Sequence, residues 1–242
     1  MFSIYLKEIR SFLSSLIAII VIVVFLVANG LFLWVFKETN ILDNGYANID
    51  PLFDLAPMIF IFLISAVTMR SFSEEKKAGT LEILTTKPIT DTSIILGKYF
   101  AGLTIVLLAL IPTFIYVYTI SDLAVPQGNI DTGAIRGSYT GLIMLSAGYI
   151  AIGLFSSVIT DNQIVSFIVS MFLSFFFYAT FDYLGSFSFF KNTDFFVEWF
   201  GISFHYRNIS KGVVDSRDIV YFLSLIVLFL WLTKIIFSSR KW

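Results

Sequence analysis

Residues 16–36 read LIAIIVIVVFLVANGLFLWVF, a run without a single charged side chain. A bilayer's hydrocarbon core is about 30 Å thick and needs roughly 20 predominantly apolar residues of helix to cross it. This run is long enough, and it exceeds the h-region of a cleaved leader, with no A-x-A site after it. It therefore reads as an uncleaved first span. Five more stretches follow at 52–69, 99–120, 138–159, 164–181 and 219–237, the last reaching Phe237 only if Lys234 snorkels to the interface. Six such helices in 242 residues leave too little polar surface to cover them in water. Composition agrees: 57% of residues are hydrophobic, 28 are Phe, mean hydropathy is +0.88, and only 14% are charged where soluble domains carry about 25%. The expected fold is an all-α membrane protein formed by one domain over 1–242.

The segment before the first span has its own pattern. Phe2, Tyr5, Leu6, Ile9, Phe12, Leu13 and Leu16 recur at helical spacing, with Ser3, Lys7, Arg10, Ser11 and Ser14 mostly between them. Residues 1–15 are expected to form an amphipathic helix in the membrane interface, the alternative being an extension of the first span. Six spans put both termini on one side. Lys7, Arg10, Arg70, Lys76, Lys77, Lys87, Lys98, Lys234, Arg240 and Lys241 lie there, against Lys37, Arg136, Lys191, Arg207, Lys211 and Arg217 opposite. The positive-inside rule makes the terminus side cytoplasmic. Pro112 falls within the third span and should kink it, as a packing feature or as a hinge.

Several chemistries are excluded. There is no cysteine and one histidine, so neither a disulfide framework nor a zinc site is expected. No Asp, Glu, Lys, Arg or His falls well inside the spans, whereas ion-coupled transporters and intramembrane proteases need such groups at depth. Gly97-Lys98 lacks the rest of a phosphate-binding loop. Any energy for uphill movement must come from a partner, and the near-zero net charge of −1 gives no reason to expect nucleic acid.

Charge is concentrated between the second and third spans, in RSFSEEKKAGTLEILTTKPITDTSIILGK at 70–98. Ser73 reads as an N-cap, Gly79-Thr80 as a break, and Thr80 as the cap of a second short helix that Pro88 ends. Thr90 or Asp91 caps the helix entering the third span. The loop at 71–92 would hold a short helix along the membrane surface presenting Glu82, Thr85 and Lys87, placed to take a push from a soluble partner and pass it to two spans.

This loop resembles the signature of ABC-2 type permeases. E-x-K-x-G-T-L-E-x-L-x-x-x-P-I-T, then I-x-x-G-K-Y-F-A, stands at 75–101. The resemblance implies a non-enzymatic permease subunit, partnered by a cytoplasmic ATP-binding subunit that carries ATP and magnesium, and by a second permease subunit, either identical or, as preferred, a different one with a periplasmic domain, in a bacterial inner membrane. It makes the loop the coupling helix, with Glu74, Glu75, Gly79, Thr80, Leu81, Glu82, Leu84, Lys87 and Pro88 as contacts to the ATPase. It also implies that the outer segment 182–218, aromatic over 195–204, re-enters the membrane, where an interfacial aromatic belt is the alternative. Within that segment FHYRNISKGVVDSRDIVYF at 204–222 is similar to gliding-motility permeases and marks His205, Arg207, Gly212 and Asp215. A membrane anchor or scaffold for a motility or secretion machine remains the second functional reading.

Overall fold

The structure is a computed structural model, and it describes residues 1–37, 39–42, 45–81, 89–185 and 198–239, with Ile17 described for its backbone alone. Among these residues every regular element is helical. α1 is Phe2–Leu13, α2 Leu16–Trp34, α3 Asp50–Thr68, α4 Ser73–Lys77, α5 Asp91–Leu110 and α6 Phe114–Leu123. α7 is Thr132–Ile159, α8 Gln163–Phe175, α9 Phe181–Gly185, α10 Ile202–Ser210 and α11 Ser216–Ser239. Five helical stretches, built on α3, α5–α6, α7, α8–α9 and α11, are long and apolar enough to cross a membrane. A sixth is reached when the pair α1 and α2, bent by 65°, is taken as one span. The chain is thus a multi-pass membrane protein.

α7 is the axis of the bundle, packing against α3, α8, α10 and α11. Tyr149, Ile150, Ala151 and Ile152 near its middle are wholly buried. Without a hydrophobic drive between helices in lipid, close packing does the work, and small residues permit it. A Cβ at Gly153 would collide with Thr68 of α3, and one at Gly137 would lie 2.5 Å from the Ile209 carbonyl at the end of α10. α3 and α8 also meet through the Ser65 and Ser170 hydroxyls, 2.8 Å apart. The outward faces of α2, α8 and α11 are studded with exposed Ile, Val, Leu and Phe, including Val23, Phe172 and Val227. That is the surface lipid requires.

Pro112 does not break the third span. A single 3-10 turn, Ile111–Thr113, absorbs it, with the Thr113 hydroxyl donating to the Leu110 carbonyl at 2.7 Å. The chain then continues as α6. Thr90 caps α5, its hydroxyl accepting from the Ser93 amide at 3.3 Å. Ser73 is not the N-cap its position suggested. Its hydroxyl turns back to the Met69 carbonyl, and Phe72 precedes α4 without a side-chain cap. Ser157 of α7 fills that role from outside, accepting from the Phe72 and Ser73 amides at 2.9 and 3.1 Å.

α1 does not bury its most apolar stripe. Ile4 and Glu8, one turn apart, face α5, while Phe2 and Leu13 are exposed. The Tyr5 hydroxyl meets Thr104 at 3.0 Å. α1 and the last turn of α11 lie at one end of the bundle, since Ile4 packs on Gly97 and Ser238 bonds to Asp91, both of α5.

Candidate coupling junction

At that end the sequence places a lysine where an apolar helix would want an aliphatic residue. Lys98 lies one turn beyond Ile94 on the buried face of α5, and only 2% of it is exposed. A charge so enclosed must be paired. Its ammonium donates to Glu8 of α1 at 3.0 Å and to the Ser71 carbonyl at 2.6 Å. It lies 3.0 Å from Glu75 Oε2 of α4, an ion pair not aligned as a hydrogen bond, and 5.0 Å from the centre of the Phe72 ring. Lys7 adds a second cation, donating to Glu75 Oε1 at 2.6 Å and lying 3.3 Å from Glu8. Burial works against the charge of Lys7, but Glu75 and Glu8 outweigh it and hold its pKa above the usual lysine value.

Two further ties complete the junction. Arg70 grips Glu74 with two N–H groups at 2.7 and 2.8 Å and reaches Ser15 with a third at 3.0 Å. Lys76 donates to the Val158 carbonyl at 2.6 Å, capping the end of α7, and lies 3.6 Å from Asp161 in the turn to α8. The short segment after α3 is therefore fastened to α1, α5 and α7 together. Gly79 ends α4 at φ +68°, a left-handed conformation suited to glycine after a helix.

Of the residues marked for ATPase contact, Glu74 is half-exposed and paired with Arg70, whereas Glu75 is turned inward with 14% of its side chain exposed. Gly79 and Thr80 are exposed and Leu81 is buried. Glu82, Leu84, Lys87 and Pro88 lie outside the described residues. Lys98 and Glu8 were missed as site residues. The signal existed: Lys98 shares a helical face with Ile94 and Ile95, so its charge had to point inward.

The other end of the bundle gathers the marked residues between 205 and 215 in separate roles. His205 is fully buried, its Nδ1 2.6 Å from Asp218 Oδ1 and its Nε2 2.8 Å from the Trp199 carbonyl, with its ring stacked on Tyr221 at 3.9 Å. Arg207 points away and pairs with Asp182 at 2.6 Å. Gly212 has φ +86° and packs on Gly133 and Ala134 of α7. Asp215 caps α11 by accepting from the Arg217 amide at 3.0 Å, which holds its carboxyl below the usual range. Tyr206 donates to the Phe53 carbonyl at 2.7 Å and so ties α10 to α3. These contacts bring His205 to Asp218 and leave Arg207 and Asp215 apart from it.

A family model described as ABC-2 family transporter protein matches residues 37–235. The chain belongs to the ABC-2 transporter family. ABC-2 membrane subunits are generally not enzymes themselves and work with an ATP-binding subunit. The match runs from the end of α2 through most of α11, so it takes in Lys98, Glu75 and His205 but not Lys7 or Glu8. A search of curated proteins gave no match.

Proposed function

We propose that this ABC-2 chain is a permease subunit in which the segment 74–88 receives the force of ATP hydrolysis from a separate cytoplasmic subunit and the Lys98 junction distributes it. The supporting observation is the triple fastening of α4. Glu75 and Lys98 link it to α1 and α5, and Ser157 and Val158 link it to α7. A displacement at Gly79–Pro88 then moves three helices as a unit instead of bending a loop. In this reading the terminus end faces the cytoplasm, the membrane is a bacterial inner membrane, and a second permease subunit completes the translocation path. ATP and magnesium are held by the ATP-binding partner.

The test is the ATPase activity of the complex formed with the ATP-binding subunit that co-purifies with the chain. Glu82→Lys should abolish the stimulation of hydrolysis by the permease while leaving its insertion in the membrane unchanged. Unaltered stimulation would refute the docking assignment. The likeness of 204–222 to gliding-motility permeases supports a narrower reading, in which hydrolysis drives an envelope process. Turnover in liposomes separates this from solute transport: stoichiometric ATPase capture without flux favours the motility role.

A further inference from the structure

A cavity of about 400 Å³ lies inside the elbow where α1 and α2 meet at 65°. Its walls change character along its length. Toward the bundle's end it is lined by Lys7, Arg70, Glu74 and Glu75. Ser11 and Ser15 follow at the bend, and then Phe12, Ala18, Ala66 and Val67. Ala18 stands in the first turn of α2, and Ala66 and Val67 in the last turn of α3, so the apolar part adjoins the membrane-crossing stretches. A void that is charged at the interface and greasy beneath it matches one kind of molecule always at hand there, an amphiphile.

We infer that this elbow binds a single phospholipid from the leaflet at the terminus end, with a phosphoethanolamine headgroup. The phosphate is met by cations with donors to spare. Lys7 is 54% exposed at its side chain. Arg70 spends three N–H groups on Glu74 and Ser15, and its guanidinium has more to offer among the described residues. The hydroxyl of Ser11, at the bend, lines the same space. The ammonium is met by carboxylates. Glu74 is half-exposed on the lining and each of its oxygens takes one N–H of Arg70, leaving lone pairs for a second donor, whereas Glu75 Oε2 is shielded from solvent and paired with Lys98 at 3.0 Å. Lys7, Arg70 and Lys98 balance Glu8, Glu74 and Glu75 on the lining. A neutral wall of this kind suits a zwitterion over a net anion, and a primary ammonium can hydrogen-bond where a quaternary one cannot. One of its two acyl chains lies along Phe12 and Val67. Occupancy would brace α1 against the end of α3, whatever the chain transports and however it is driven.

The experiment uses the full-length chain purified in detergent, stripped of lipid, and titrated in native mass spectrometry with phosphatidylethanolamine, phosphatidylcholine, phosphatidylglycerol, free phosphoethanolamine and inorganic phosphate. One phosphatidylethanolamine per chain should be retained at a concentration about tenfold lower than either other lipid, and Lys7→Gln or Arg70→Gln should each weaken retention about tenfold, as loss of one charge-assisted bond implies. Arg70→Gln also releases Glu74, so Ser11→Trp provides a second probe. It fills the bend from an exposed position and should abolish retention with the melting temperature of the lipid-free chain unchanged. Equal retention of the three lipids, indifferent to these substitutions, would overturn the proposal in favour of ordinary annular lipid. Displacement of the lipid by inorganic phosphate would overturn it in favour of a free-anion site.

Discussion

Replacing Lys98 by methionine removes the cation at the centre of the junction and leaves two carboxylates facing each other. Glu8 is 7% exposed and Glu75 keeps 14% of its side chain in solvent, so neither can recover its hydration. Breaking a buried pair by deleting one partner costs about 3–5 kcal/mol. Lys7 stays within 2.6 Å of Glu75 and 3.3 Å of Glu8 and offsets part of this. The loss should fall near the lower end, about 3 kcal/mol. The orphaned Ser71 carbonyl belongs to the same total, since Lys98 is its donor. The companion experiment is the double substitution Lys98→Met with Glu8→Leu, which removes charge on both sides and leaves Glu75 to Lys7. Because apolar replacement of a whole buried pair is often neutral, the double variant should lie within about 1 kcal/mol of the native chain. Reversible unfolding of the purified chain in mixed detergent–lipid micelles gives all three numbers. The coupling between the two sites should then be at least about 2 kcal/mol and opposite in sign to the single losses. A Lys98→Met loss under about 1 kcal/mol, or a double loss equal to the sum of the singles, would refute the claim that this lysine is the hub.

Further outcomes follow from other contacts. Gly212→Ala forces a Cβ into a left-handed backbone, costing about 1–2 kcal/mol, and sets it 3.0 Å from the Ala134 amide, so a lowered melting temperature is expected. Gly137→Ala places a Cβ 2.5 Å from the Ile209 carbonyl and should destabilise by about 1–3 kcal/mol through overpacking, read in the same melt. Ser157→Val leaves the Phe72 and Ser73 amides without their shared acceptor, and hydrogen exchange at those two amides should accelerate selectively. Tyr206→Phe deletes one hydrogen bond to Phe53 and should cost about 1 kcal/mol without altering helix content by circular dichroism.

The fold class was legible because a bilayer imposes a length and a composition that runs such as 16–36 satisfy on their own. The cap at Thr90 and the break at Gly79 were legible too, since both rest on local backbone chemistry. The lines of contact between helices were not. Glu8 and Lys98 are ninety residues apart, and nothing local to either says that they meet. Amphipathic spacing found α1 but not its contact with α5, for a related reason. Its apolar stripe can satisfy lipid as well as protein, so Phe2 went outward and the polar Glu8 inward to a partner the helix itself does not contain. Ser73 was misjudged because a cap may be supplied from another helix, here by Ser157. At the end of the bundle away from α1 the stretch carrying His205, Arg207 and Asp215 stood out as a unit, yet the three serve a buried pair, a surface pair and a helix cap.

The central position of α7 has a consequence for how the chain is made. α7 and the stretch from α8 through α9 are equally apolar, but the membrane-crossing part of α7 is 78% buried and that of the α8–α9 stretch only 22%. A translocating machinery that reads greasiness treats them alike. What separates them is the set of neighbours, and for α7 one of the largest is α11, a helix made well after it. Until Ser216–Ser239 arrives, the face around Gly148, which packs on Leu225, has no protein against it. The bundle therefore cannot close progressively from α2 onward, and its axis waits, half-lined, for a helix made after it.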